Sequence, residues 1–180
     1  IVNNNRSAVN AINNAAKESQ GEILIVVSDD TGFLQNWDQI ILNATLKMTD
    51  YILKVYDGIQ QYIVTMPVIH RDYYNRFGYI YHPDFNHMFC DTALTHTADV
   101  LKRIIWRNDL VIRHNHYSVT TKFKDEVSIK ADSTLQSGCD VYFDLIKKHL
   151  LLDSSVNIWD LKLPESRSHR DWLKKKGFPA

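Results

Sequence analysis

The sequence predicts an α/β fold in which a mixed central sheet is flanked by helices. Ile23-Leu24-Ile25-Val26-Val27 is an apolar, β-branched run, the pattern of a strand buried on both faces beneath helices. Ala8, Val9, Ile12, Ala15 and Ala16 fall at helical spacing just before it, and Ala93, Leu94, Thr97, Ala98 and Leu101 do so again downstream. Short extended segments lie between these helical stretches, so helix and strand alternate along the chain.

At 180 residues the chain fits one domain with a substantial core, which we divide into a core region 1–153 and a C-terminal extension 154–180. A 44% hydrophobic and 23% charged composition, with six Gly and four Pro, excludes a low-complexity chain. Lys plus Arg and Asp plus Glu balance at 21 each, so no global field attracts nucleic acid, and no basic aromatic stripe stands in for one. The two cysteines, Cys90 and Cys139, form neither a disulfide framework nor a metal finger, which points to a reducing, cytoplasmic compartment. No apolar run approaches the ~20 residues that span a bilayer. Lys174, Lys175 and Lys176 read as a solvated tail, with membrane contact at most peripheral.

Taken in order, Ile1-Val2 reads as the end of a strand already under way, and the missing Met fits tag removal or a fragment equally. The spacing predicts a helix from Arg6 to Ser19, capped by Ser7 or Asn5 and ended by Gln20-Gly21. Ile23 to Val27 is the first full strand. A second helix is predicted over Phe33 to Thr49, with Trp37, Ile40, Ile41, Ala44 and Leu46 on its apolar side. Strands follow at Tyr51 to Tyr56 and Tyr62 to Met66, separated by an Asp57-Gly58 turn and closed by Pro67. His70 to Phe77 is a short helix stopped by Gly78, and Tyr79, Ile80 and Tyr81 are extended. A helix opens at Phe89-Cys90-Asp91-Thr92. Arg103 to Trp106 and Leu110 to Ile112 read as two strands around an Asn108-Asp109 turn. Lys122 to Lys130 is charged and exposed, and Leu135 to Leu152 is a helix able to pack on the sheet. Trp159, Leu161, Leu163 and Trp172 lie among charges beyond it.

The apolar strand ends in Ser28-Asp29-Asp30 and turns at Thr31-Gly32. In open α/β sheets ligands sit beyond the carboxyl ends of such strands, and paired carboxylates there suit a hard divalent cation. The plainer alternative is a turn or helix cap. Arg6 and Ser7 open a helix, a place for an anionic phosphate or sugar edge, although Arg6 also reads as a surface cation. Asp91 at a helix start reads locally as an N-cap. His114 and His116 point to one face if their segment is a strand, an arrangement that suits a metal, and are otherwise two loop histidines.

In series these residues resemble a nucleotide-sugar glycosyltransferase of the GT-A fold, most like glycosyltransferase family two. The likeness runs from Asn4 to about Asp144. It rests on Arg6-Ser7-Ala8-Val9-Asn10-Ala11-Ile12, on Gly21-Glu22 with the strand and Ser28-Asp29-Asp30, on Ile69-His70-Arg71-Asp72-Tyr73 through Gly78-Tyr79, and on Phe89-Cys90-Asp91-Thr92-Ala93-Leu94.

The resemblance implies a UDP- or GDP-sugar donor, a carbohydrate or glycolipid acceptor, and Mn²⁺ or Mg²⁺. It assigns metal ligation to Asp30 with Asp29 beside it, completed by His116 or His114. Arg6, Asn10, Ser28 and Asp29 would border the nucleotide-sugar, and Arg71, Tyr79 and Cys90 the acceptor. Asp91 would be the catalytic base of an inverting transfer, a carboxylate that removes the acceptor proton as the new bond forms.

Three features depart from the family pattern. Ser28 stands where the first Asp of the metal motif often falls. Cys90 replaces an acid beside Asp91. The first strands, which grip the nucleobase in relatives, have no counterpart before Arg6. Two other classes stay open at this point: a truncated or non-catalytic domain that self-associates into a homo-oligomer, and a metal hydrolase requiring Asp29, Asp30, His114 and His116 to converge.

Overall fold

The computed structural model describes residues 5–117 and 124–147. Ile1-Val2, Lys122, the predicted helix beyond Lys147, and the extension with Trp159, Leu161, Leu163, Trp172 and Lys174 to Lys176 lie outside the described residues.

The chain is α/β, with a mixed sheet flanked by helices. Helix α1 spans Ala8–Glu18 and is capped by Ser7, whose Oγ accepts the Asn10 N–H at 3.1 Å. Strand β1 is Ile23–Ile25, β2 is Thr31–Gly32, and α2 is Trp37–Ala44. Strand β3 is Ile52–Tyr56, β4 is Pro67–His70, α3 is Arg71–Phe77 and α4 is Cys90–Val100. The chain continues through β5 (Ile104–Val111), β6 (Arg113–His114), α5 (Glu126–Ser133) and α6 (Leu135–Lys147).

The main sheet has the order β1-β4-β3-β5. β4 runs antiparallel to β1 and β3, whereas β5 runs parallel to β3. Strands β1, β3 and β5 therefore point the same way and deliver their carboxyl ends to one edge. Strand alternation sorts the core into two layers. Leu24, Ile52 and Ile69 face Val9, Tyr73, Leu94 and Tyr142, a layer built by α1, α3, α4 and α6. Leu53, Val55 and Val68 face the other way, onto Ile41 of α2.

Several sequence expectations need correction. The Ile23 to Val27 run is an edge strand and not one buried on both faces: only Leu24 is buried, β1 pairs with β4 alone, and Val27 is exposed. The strand expected at Tyr62 to Met66 forms instead at Pro67–His70. Proline lacks an N–H, so it is tolerated as the first residue of a strand, and here its carbonyl accepts the Val26 N–H at 3.1 Å. Tyr79 to Tyr81 forms no strand, because the Asn13 side chain engages it, accepting both the Ile80 and Tyr81 N–H groups.

The two strands expected around Asn108-Asp109 are one, β5. Arg107 and Val111 pair with consecutive β3 residues, so the expected turn becomes a bulge. Helix α2 is shorter than Phe33 to Thr49, and Leu46 lies outside it, 68% exposed. Helix α5 occupies part of the segment expected only to be charged, and buries no residue. Helix α6 joins the layer on this face of the sheet, as expected, chiefly through α4, with the Phe89 and Tyr142 rings 5.8 Å apart. Gly78 does end α3, in the left-handed conformation at φ 74° that favours glycine.

Candidate functional site at the carboxyl edge of the sheet

The edge where β1, β3 and β5 end is stitched by a second, two-stranded sheet. β2 follows the Ser28-Asp29-Asp30 turn and β6 follows β5, and they pair antiparallel with Thr31 opposite His114 and Gly32 opposite Arg113. This pairing brings together residues far apart in sequence. His114 Nε2 stands 3.2 Å from Asp30 Oδ2. The other carboxylate oxygen of Asp30 accepts the Ser28 hydroxyl. Asn115 fixes the Asp30 backbone with two bonds to its carbonyl, from the backbone N–H at 3.0 Å and from Nδ2 at 2.9 Å. The turn itself closes through the Thr31 N–H on the Ser28 carbonyl, 3.2 Å. Asp29 is exposed at its tip.

His114 and His116 do not share a strand face, because β6 ends at His114. Their rings are nevertheless adjacent, with centroids 5.1 Å apart, and His116 stacks on Tyr117 at 4.1 Å. Partial burial, and then the neighbouring His114, lower the pKa of His116, which keeps the imidazole neutral and able to donate a lone pair.

Beneath this pair lies Asp57, read from sequence only as part of a turn. It is 1% exposed. Its carboxylate accepts the Ile59 and Gln60 N–H groups at 2.8 and 2.6 Å and the Thr65 hydroxyl at 2.7 Å. Its carbonyl accepts the His114 N–H at 2.8 Å. Asp57 therefore ties the end of β3, the loop before β4 and β6 into one unit. Fully buried Lys54 donates to the Gln60 carbonyl at 2.8 Å, and burial lowers its pKa to about 8 despite the nearby Asp57. Polar residues flanking a strand end carried the only sequence signal for this support.

Asp91 lies in the first turn of α4. Its cap is not Asp91, as the sequence reading allowed, but Phe89. Helix α4 feeds β5 at the amino end of that strand, so its first turn lies toward the carboxyl edge. Thr95 fixes this placement, accepting the N–H of Val64, which precedes β4, at 2.9 Å. The Asp91 Oδ1 accepts the Thr92 N–H at 2.7 Å. Burial raises the Asp91 pKa, with that hydrogen bond opposing the shift.

Among the remaining expected site residues, exposed Arg6 and half-buried Asn10 sit at the start of α1, where the Val9 N–H bonds the Asn86 carbonyl at 3.2 Å and so approaches the α4 start. Tyr79 stacks edge-on against His82, centroids 5.4 Å apart, beside α4. Cys90 is buried in the core, and burial pushes its thiol well above the usual range. Arg71 lies at the opposite edge of the sheet from Asp30. Its guanidinium donates to the Gly21 carbonyl at 2.9 and 2.7 Å and to the Ser19 carbonyl at 3.1 Å, clamping the α1–β1 connection.

Asp30 and His114 form a two-donor set. A hard divalent cation takes carboxylate oxygens such as those of Asp30, and His114 Nε2 beside it is a second donor atom. Among the described residues no three His, Cys, Asp or Glu side chains are grouped to hold an ion by themselves, the convergence that the hydrolase reading requires. No described helix is long and apolar enough to cross a membrane. No family model matches the chain, and no curated protein or solved structure does so.

Proposed function

We propose that this chain is a glycosyltransferase domain of GT-A type, transferring a sugar from a UDP- or GDP-sugar to a carbohydrate-type acceptor with Mn²⁺ or Mg²⁺. The observation that carries this reading is the meeting of Asp30 with His114. A carboxylate motif after one strand and a histidine beyond a later helix have no local reason to touch, and the proposed chemistry needs both at one point.

Asp30 and His114 would hold the cation, which offsets the negative charge gathering on the departing diphosphate. Ser28 and Asn115 keep the Asp30 carboxylate and backbone in place before substrate arrives, so little reorganisation is needed on binding. Asp91 accepts the acceptor hydroxyl proton as the acceptor oxygen bonds to the sugar carbon and the bond from that carbon to the diphosphate breaks. Its raised pKa makes it a stronger base than an ordinary aspartate. Attack from the face opposite the leaving group inverts the anomeric centre.

Calorimetric titration with UDP and with GDP, each with and without Mn²⁺, tests the reading. Mn²⁺-dependent binding that disappears in Asp30→Asn is the expected result. Binding that ignores both the cation and the substitution overturns the donor-site assignment.

A further inference from the structure

Helix α4 begins in an unusual way. Its cap, Phe89, is an aromatic residue in the left-handed conformation at φ 70°, and the Phe89 side chain makes no capping hydrogen bond. Such a backbone is strained for any residue with a Cβ and persists only where its surroundings impose it. The imposing surface is the leading face of α6. Thr134, which directly precedes α6 and whose carbonyl accepts the Gly138 N–H at 2.8 Å, is followed at intervals of four by Gly138 and Tyr142 within the helix.

Each of the three engages the α4 start. Thr134 Oγ1 accepts the Met88 N–H at 3.2 Å. Gly138 lies so close beneath Met88 that a Cβ there would stand 2.2 Å from its carbonyl oxygen and 2.9 Å from its carbonyl carbon. The Tyr142 ring packs on Phe89, and its hydroxyl meets His96 Nδ1 at 2.9 Å, locking α6 to α4 farther along. Asp91 follows two residues after the strained cap.

We propose that Thr134 and Gly138 are positioning residues for Asp91: α6 holds the Met88–Phe89 backbone in its left-handed bend and thereby sets where the Asp91 carboxylate points and how far it is desolvated. Its link to catalysis rests on the reading of Asp91 as the base. The glycine serves close approach, since α6 cannot seat on the Met88 carbonyl with a side chain at 138. The titratable groups facing Asp91 are His87, Cys90 and Tyr81.

The test is an NMR titration of the Asp91 carboxyl carbon, assigned with Asp91→Asn, in the wild type, Gly138→Ala, Thr134→Val and Thr134→Ser. The expected result is that Gly138→Ala and Thr134→Val move the Asp91 midpoint down toward the ordinary aspartate value, while Thr134→Ser, which keeps the hydroxyl, restores it. General loosening of the fold lowers the melting temperature without this serine rescue. If Gly138→Ala fails to fold, the threonine pair decides alone. An Asp91 midpoint unchanged in the folded variants overturns the positioning role. A midpoint that shifts as expected, in a wild-type protein that transfers no sugar, leaves positioning intact and removes the base assignment instead. Where transfer is measurable, the positioning variants lose about tenfold or more in kcat with donor Kd held within twofold.

Discussion

His114 Nε2 lies 3.2 Å from Asp30 Oδ2, although one residue follows β1 and the other ends β6. The pair exists because β2 and β6 zip together beyond the main sheet, with Thr31 opposite His114. Asp30→Asn keeps the shape and removes the charge. It is expected to weaken Mn²⁺-dependent UDP or GDP binding by about tenfold or more, with the circular dichroism spectrum unchanged. Undiminished binding in calorimetry sinks the role of Asp30.

Asp91→Asn separates catalysis from stability. Transfer turnover should fall by about 10²-fold or more with little change in donor affinity, as for loss of a general base. Because the folded pKa is raised, the native state binds more protons than the unfolded chain between the ordinary aspartate value and the raised one. The ionised residue thus costs stability above that window, and the neutral amide should raise Tm at pH 7. Near-normal turnover together with a lowered Tm identifies Asp91 as a structural group only.

Lys54 gives a stability signature at high pH. Its pKa is lowered from 10.5 to about 8 by burial, so between those values the unfolded chain holds more protons and stability rises with pH. Relative to Lys54→Met, the wild type should gain roughly 3 kcal/mol on passing from pH 7 to beyond 10.5. Urea melts of both proteins across that range measure the difference, and parallel curves refute the buried cation.

Asp57→Ala removes the acceptor shared by Ile59, Gln60 and Thr65 and leaves those donors without it. A loss of about 3 kcal/mol or more is expected, with weakened Mn²⁺-dependent donor binding because the His114 strand leans on Asp57. A loss below 1 kcal/mol in urea denaturation contradicts the hub role.

Gly78→Ala tests the α3 stop. At φ 74° the site meets nothing within 4 Å where a Cβ would go, so only backbone strain is added. The expected cost is about 1 kcal/mol. A neutral substitution means that the end of α3 can relax.

Local chemistry was enough to determine much of this protein. Ser7 caps α1, one of the two caps the sequence offered with Asn5; Gly78 ends α3, the Ala8 to Ala16 spacing made a helix, and the alternation of segments made an α/β fold with a mixed sheet. Each of these depends on residues within a turn or two of one another. The sequence also marked Ser28-Asp29-Asp30, Asp91 and His114 as candidates, because charged groups after apolar strands and at helix starts stand out in one dimension. Tertiary structure alone decided the rest. The Ile23 to Val27 run lies at an edge because strand order, not apolarity, sets how many neighbours a strand has. Asp57 became a hub, and Lys54 a buried cation, through bonds to a loop whose path no local pattern encodes. The left-handed Phe89 before Asp91 is imposed by α6, packed from more than forty positions downstream. Side-chain reach fixes turns and caps, whereas the pairing of distant segments is fixed by which surfaces they bury together, and that is decided only when the whole chain folds.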